Sequence, residues 1–140
     1  IAGGEEGNGM NQDSYPKSAE IIIQEVEGVL QATFTTARLT DERVIKALQT
    51  QICDVVSRHQ RPRIIINFEQ VTYLTSSMLG AMVGVKKKIE EGRGRLKLCG
   101  LRESLFEIFS ITGLDRVFEI HPDLEDAISA MKDGKFPGRR

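Results

Sequence analysis

The chain has 140 residues, of which 40% are hydrophobic and 28% charged, and its formal net charge is −1. That length suits one domain with a core large enough to stand without disulfides, and the composition is that of an ordinary globule. The charge balance offers no basic excess to nucleic acid or acidic lipid, and no apolar run approaches the roughly 18 residues of a membrane span.

Residues 1–19 are rich in Gly, Glu and Asn without a period, and read as a flexible lead-in to a domain over 20–133, with a disordered tail over 134–140. Ile21-Ile22-Ile23 and Val29 to Phe34, separated by Gly28, predict two strands of an antiparallel hairpin. Thr40 or Asp41 is placed to cap a first helix whose apolar stripe is Val44, Leu48, Ile52 and Val55. Pro62 ends that region, and Ile64-Ile65-Ile66 follow as an unbroken apolar run. Lack of alternation suits a strand buried on both faces, as in a parallel sheet covered by helices.

Ser76 and Ser77 then stand just ahead of Met78, Met82, Val85 and Ile89, whose spacing of four and three marks one face of a second helix. A strand, a short polar loop and a helix start place a serine hydroxyl where unsatisfied N–H groups favour an anion. One serine is expected to cap the helix, with Ser77 the better placed because it stands closer to the stripe. Gly80 and Gly84, four apart, suggest close packing against the sheet, since Gly costs about 1 kcal/mol against Ala inside a helix. Lys86-Lys87-Lys88 read as a solvated face.

Gly92-Arg93-Gly94 turns the chain into a strand at Leu96 to Gly100; following a helix and preceding a strand, it has the reverse order of a phosphate-binding loop. Leu105, Phe106, Ile108 and Phe109 belong to a short helix stopped by Gly113. Val117 to Ile120 suggest a short edge strand, and Pro122-Asp123 open a last helix with Leu124, Ala127, Ile128 and Met131 facing inward. Strands alternating with helices predict an α/β fold with a mixed, mostly parallel sheet and crossover helices.

Chemistry-bearing residues are sparse. Cys53 and Cys99 lack metal-ligand spacing and read as buried, reduced thiols. With no basic-then-apolar leader, the expected location is cytoplasmic. His59 and His121 are far from the serines in sequence and read as surface residues. There is no Gly-X-Ser-X-Gly elbow at the serines, and no Ser-X-X-Lys, because Leu79 and Gly80 occupy the third positions beyond Ser76 and Ser77. No enzyme, cofactor or metal is expected, and a serine-dependent enzyme is kept only as an outside option.

The run Tyr73-Leu74-Thr75-Ser76-Ser77-Met78-Leu79-Gly80, preceded by Ile66-Asn67-Phe68 and followed by Leu98-Cys99 and Ile111-Thr112-Gly113-Leu114, resembles the STAS domain (sulfate transporter and anti-sigma-factor antagonist). The likeness is to the bacterial anti-sigma-factor antagonists and runs from about Ile21 to Met131. It implies a STAS-like α/β fold and a regulatory binding domain whose partner is an anti-sigma factor or related serine kinase. It also implies a phosphoacceptor at Ser76, with Thr75, Ser77 and Met78 as the surrounding partner-binding loop. Thr75 stands where the family has Asp, and Met78 where it has Gly. A STAS scaffold or small-ligand-binding domain without phosphorylation is the alternative that these two departures would suit.

Overall fold

Side chains alternate across a strand, so three consecutive isoleucines need apolar neighbours on both sides of the chain. In the computed structural model, which describes residues 21–132, that need is met inside a five-stranded sheet. The lead-in over 1–19, the tail over 134–140 and the outermost residues of the 20–133 domain lie outside the described residues.

Strands β1 (Ile21–Val26) and β2 (Val29–Phe34) form the expected hairpin. After them come β3 (Arg38–Leu39), α1 (Glu42–Arg58), β4 (Arg63–Asn67), β5 (Tyr73–Leu74) and α2 (Ser76–Glu91). The chain continues through β6 (Arg95–Cys99), α3 (Glu103–Thr112), a 3-10 turn at Leu114–Arg116, β7 (Glu119–His121) and α4 (Leu124–Lys132). The large sheet runs β1-β2-β4-β6-β7, antiparallel between β1 and β2 and parallel elsewhere. This is the mixed, mostly parallel α/β arrangement that the alternation of elements predicts.

Ile64 and Ile66 point to one face, where they meet Leu48 and Ile52 of α1, Met82 and Val85 of α2 and Phe109 of α3 in a single apolar cluster. Ile65 points to the other face and joins Val29, Cys99 and the α4 residues Ala127 and Met131. Each isoleucine is fully buried, worth about 1.5–3 kcal/mol apiece against exposure. Register carries the alternation to the neighbours: Ile64 lies beside Leu30 and Leu96, and Ile66 beside Ala32 and Leu98.

Several expectations are corrected. Cys99 is buried, but Cys53 is exposed, because it lies off the inward stripe of α1. Gly80 and Gly84 face solvent, and a Cβ on either would meet nothing within 4 Å, so no close approach to the sheet explains them. The edge strand is Glu119–His121, two residues later than expected, and Val117 is exposed before it. Gly113 does stop α3, in the left-handed region at φ 81. Gly100 also has positive φ (75), and a Cβ there would come within 2.8 Å of the Asn67 side-chain oxygen.

Lys97 is a buried charge that apolar patterning does not anticipate. It lies beneath the α4 face of β6 at 1% side-chain exposure and is ion-paired with Glu119, its register partner on β7. The same carboxylate oxygen of Glu119 lies 2.7 Å from Nε2 of His121, so this histidine is a half-buried member of a cluster and not a plain surface residue. Removing one partner of a buried pair costs more than removing both. Glu119→Ala is therefore expected to destabilise by roughly 2 kcal/mol, less than a fully enclosed pair because Glu119 keeps some contact with water. Adding Lys97→Met should restore most of the loss. Urea unfolding of both variants checks this; additive losses would show that the pair is not coupled.

Burial, and then the carboxylates of Glu69 and Asp123, push the Cys99 thiol up to about 12. A maleimide at pH 7 is expected to label Cys53 rapidly in the native protein and Cys99 only after unfolding. The unfolded thiol ionises at lower pH than the folded one. Stability held by a neutral Cys99 is thus complete below about pH 8.5 and fades as pH rises toward about 12. Rapid labelling of both thiols at pH 7 would contradict this placement.

Candidate functional site

Two loops meet at one end of the sheet. Arg38 and Leu39 of β3 lie parallel to Tyr73 and Leu74 of β5, a second, two-stranded sheet. Leu39 and Leu74 are buried and anchor the loops, while Arg38 and Tyr73 face outward, with the guanidinium 4.5 Å over the ring centroid. Backbone bonds complete the join: the N–H groups of Thr72 and Tyr73 donate to Ala37 O at 2.7 and 3.1 Å, and Thr75 N–H to Leu39 O at 3.3 Å. This bridge brings the starts of α1 and α2 together. Asp41 caps α1, accepting from Arg43 N–H at 2.8 Å, one of the two caps anticipated for that helix.

The cap of α2 is neither serine. Thr75 holds the extended cap conformation (φ −94, ψ 165), and its Oγ1 accepts from Met78 N–H at 3.2 Å. Ser76 and Ser77 are already the first two helical residues, with both side chains exposed. The expectation that Ser77 caps is therefore corrected: the helix begins two residues earlier than a Ser77 cap would place it. Met78, expected in the partner-binding loop, is fully buried; its side chain supports α2 from beneath and cannot form part of an outer surface.

The outward face of α2 carries Ser76, Gly80, Val83, Gly84 and Lys87, all exposed, on positions that recur every three or four residues. The first turn of α2 contains no acidic residue, so its N-terminal partial positive charge is unopposed by any side chain of that turn. His59 caps the far end of α1, roughly 25 Å of helix away from its start, and the ring of His121 is engaged by Glu119. Neither histidine is brought into a hydrogen bond with the serines. Among the described residues no group of three or more His, Cys, Asp or Glu is arranged to hold a metal ion. No helix among them is long and apolar enough to cross a membrane.

The pairing of Arg38 with Tyr73 is not visible in the sequence. A strand of two residues has no measurable period, and only the pairing of two such strands gives either a structural meaning.

The STAS domain profile matches residues 19–127. The chain belongs to the STAS domain family. Among its relatives is the anti-sigma-B factor antagonist of Listeria monocytogenes, 40% identical over 55 residues, which are 39% of this chain and 48% of that protein. The match thus spans about half the length of that relative. A STAS domain protein from Planctomyces limnophilus has a similar structure, with a TM-score of 0.71 at 23% identity over 82% of this chain and 99% of that one. The anti-sigma factor antagonist SpoIIAA in its unphosphorylated form gives a TM-score of 0.62 at 16% identity, covering 82% and 99%. At these identities the two structures speak for the fold alone. The relatives are named for antagonism of anti-sigma factors, a regulatory role, and not for a reaction.

Within this STAS domain the capping assignment is directly testable. Thr75→Ala is expected to lose about 1 kcal/mol of stability and Ser77→Ala only a few tenths. Thermal melting of both variants measures the difference. An equal loss, or a larger one for Ser77→Ala, would return the cap to the serine.

Proposed function

We propose that this domain is a regulatory binding module of the anti-sigma-factor antagonist kind. It engages an anti-sigma factor or related serine kinase in the cytoplasm through the Thr72–Ser77 loop and the outward face of α2. Phosphorylation of Ser76 switches it off. The observation that carries the reading is the division of labour at the start of α2: Thr75 caps, Met78 anchors, and Ser76 is left exposed with no structural duty.

A phosphoserine adds about −1.5 to −2 charge near neutral pH. At the N-terminus of a helix whose first turn holds no acid, that charge is tolerated by the domain itself. The penalty falls on the complex, where the doubly charged group must be desolvated against a partner. Gly80 and Gly84 fit the same reading. They weaken the helix, fill no internal space, and keep its outer face flat enough for another backbone to approach.

A second reading, a STAS domain that binds a small ligand without phosphorylation, is favoured by one feature. A cavity of about 310 Å³ opens at the C-terminal ends of β4 and β6, lined in part by Asn67, Glu69, Arg102 and Asp123. Crevices at that end of parallel strands are common ligand positions.

Incubation with ATP and the anti-sigma kinases of the same genome, read by intact mass, separates the two readings. Ser76→Asp is expected to leave the melting temperature nearly unchanged and to weaken partner binding at least tenfold, about 1.4 kcal/mol. Gly80→Gln should melt no lower than the parent, since nothing obstructs the side chain, yet should also weaken binding. If no cognate kinase modifies the protein and Ser76→Asp binds its partner as the parent does, the switch is wrong and the ligand-binding reading replaces it.

A further inference from the structure

The cleft of about 310 Å³ at the C-terminal ends of β4 and β6 is walled by three loops that start level with one another. Asn67, Cys99 and His121 end β4, β6 and β7 and are register partners across the three strands. The two outer loops bring carboxylates, Glu69 after β4 and Asp123 after β7. The middle loop brings the guanidinium of Arg102. Both carboxylates stand close enough to Cys99 to push its thiol up, so they converge on one end of the sheet. Yet among the described residues no carboxylate lies within ion-pairing distance of Arg102.

Between these charges lies a buried amide. Asn67 is only 6% exposed, and its side-chain oxygen accepts from Glu69 N–H at 2.9 Å. A Cβ on Gly100 would crowd that oxygen at 2.8 Å, so glycine is what lets the two loops abut. The amide nitrogen of Asn67 donates to no group among the described residues and is not sealed from solvent, so its N–H groups open on the cleft that Asn67 lines. A donor set this deep gains from an acceptor supplied by a ligand. Arg102 holds the N-cap position of α3 without spending a side-chain bond there, and the first N–H groups of that helix have no capping side chain. Glu103, the acid of that first turn, does not line the cleft. Asp123 accepts from Asp126 N–H at 2.9 Å through one oxygen, which leaves its other oxygen available. The cleft thus offers donors around Arg102 and Asn67 and acceptors at Glu69 and Asp123.

We propose that this cleft binds a small zwitterion of the amino-acid class, with one carboxylate and one ammonium group. The carboxylate is held by the Arg102 fork and the Asn67 amide, and the ammonium by Glu69 and Asp123. A purely anionic ligand would face two carboxylates, and a purely cationic one would leave Arg102 and the buried amide unmet. The volume stands at the low end for small-molecule sites, which suits a ligand of a few heavy atoms. This ligand class rests on the ligand-binding reading and requires nothing of Ser76.

The test titrates the whole chain with each proteinogenic amino acid, β-alanine and 4-aminobutyrate. Binding is followed by NMR at the backbone N–H signals of Glu69, Gly100 and Arg102 and at the side-chain amide of Asn67. Saturable shifts at these positions are expected with at least one of these zwitterions. Propionate and propylamine, which carry one charge each, should bind at least about tenfold more weakly. Arg102→Gln removes an exposed side chain with no capping bond, so it should keep the parent's melting temperature and lose at least about tenfold in affinity. Asn67→Asp keeps the acceptor for Glu69 N–H, replaces the donor by an oxygen, and should weaken binding as much. Should that variant fail to fold, Arg102→Gln alone decides. Propionate or propylamine binding as tightly as the best zwitterion, or a folded Arg102→Gln within about twofold of the parent, would overturn the zwitterion and leave a cleft for another ligand. Absence of saturable shifts with every probe would overturn both the zwitterion and the ligand-binding reading.

Discussion

The constraint on which this domain rests is the burial of β4 on both faces. Ile64 and Ile66 close one apolar layer and Ile65 the other. A strand enclosed in this way has no room for polar chemistry along its length, because an unpaired polar group in its middle would have to give up its hydration. Polar residues are therefore displaced to its ends. Arg63 stands at one end, and Asn67, whose side-chain oxygen accepts from Glu69 N–H, stands at the other. β6 likewise starts on Arg95, and its one interior exception, Lys97, is tolerated because Glu119 lies beside it in register.

Parallel strands give those two ends opposite electrical character. Each crossover helix starts near the C-terminal ends of the strands and finishes near their N-terminal ends, so the helix N-termini gather at one edge of the sheet and the C-termini at the other. The N-terminal edge of α2 is where an added negative charge is least disruptive, and Ser76 sits there. The opposite edge receives helix carbonyl ends and collects arginines. One topological fact thus separates the exposed hydroxyl of Ser76 from the cationic side chains.

Much of this was legible from residue pattern because the signals were long. The triple isoleucine, the stripes Val44-Leu48-Ile52-Val55 and Met78-Met82-Val85-Ile89, and the glycine stop at Gly113 each extend over a turn or more, or carry a specific backbone requirement. What escaped was short or depended on partners distant in sequence. The β3–β5 bridge has two residues per strand. Lys97 looks like a solvent-facing residue of an alternating strand until Glu119 and α4 are placed above and beside it. Gly80 and Gly84 suggest packing because a helix interior normally gives glycine no other reason, and only the fold shows that both lie on the exposed face. The cap was misplaced because Thr, Ser and Ser are all competent caps, and only backbone angles decide among them.

That last point bears on the switch proposed for Ser76. A serine that both capped the helix and accepted a phosphate would couple the switch to the stability of α2, because modification would remove the acceptor that satisfies a backbone N–H. Here the cap belongs to Thr75, and the N–H it satisfies belongs to Met78, a residue locked in the core by its side chain. The start of the helix is thus held from one side by a hydroxyl and from beneath by apolar packing, and neither hold involves Ser76. Charge can change at the exposed hydroxyl while the backbone that presents it stays fixed. A surface of this kind can report a covalent change to a partner without any change of fold, since the free energy of the change is felt only where the partner must displace water from the modified group.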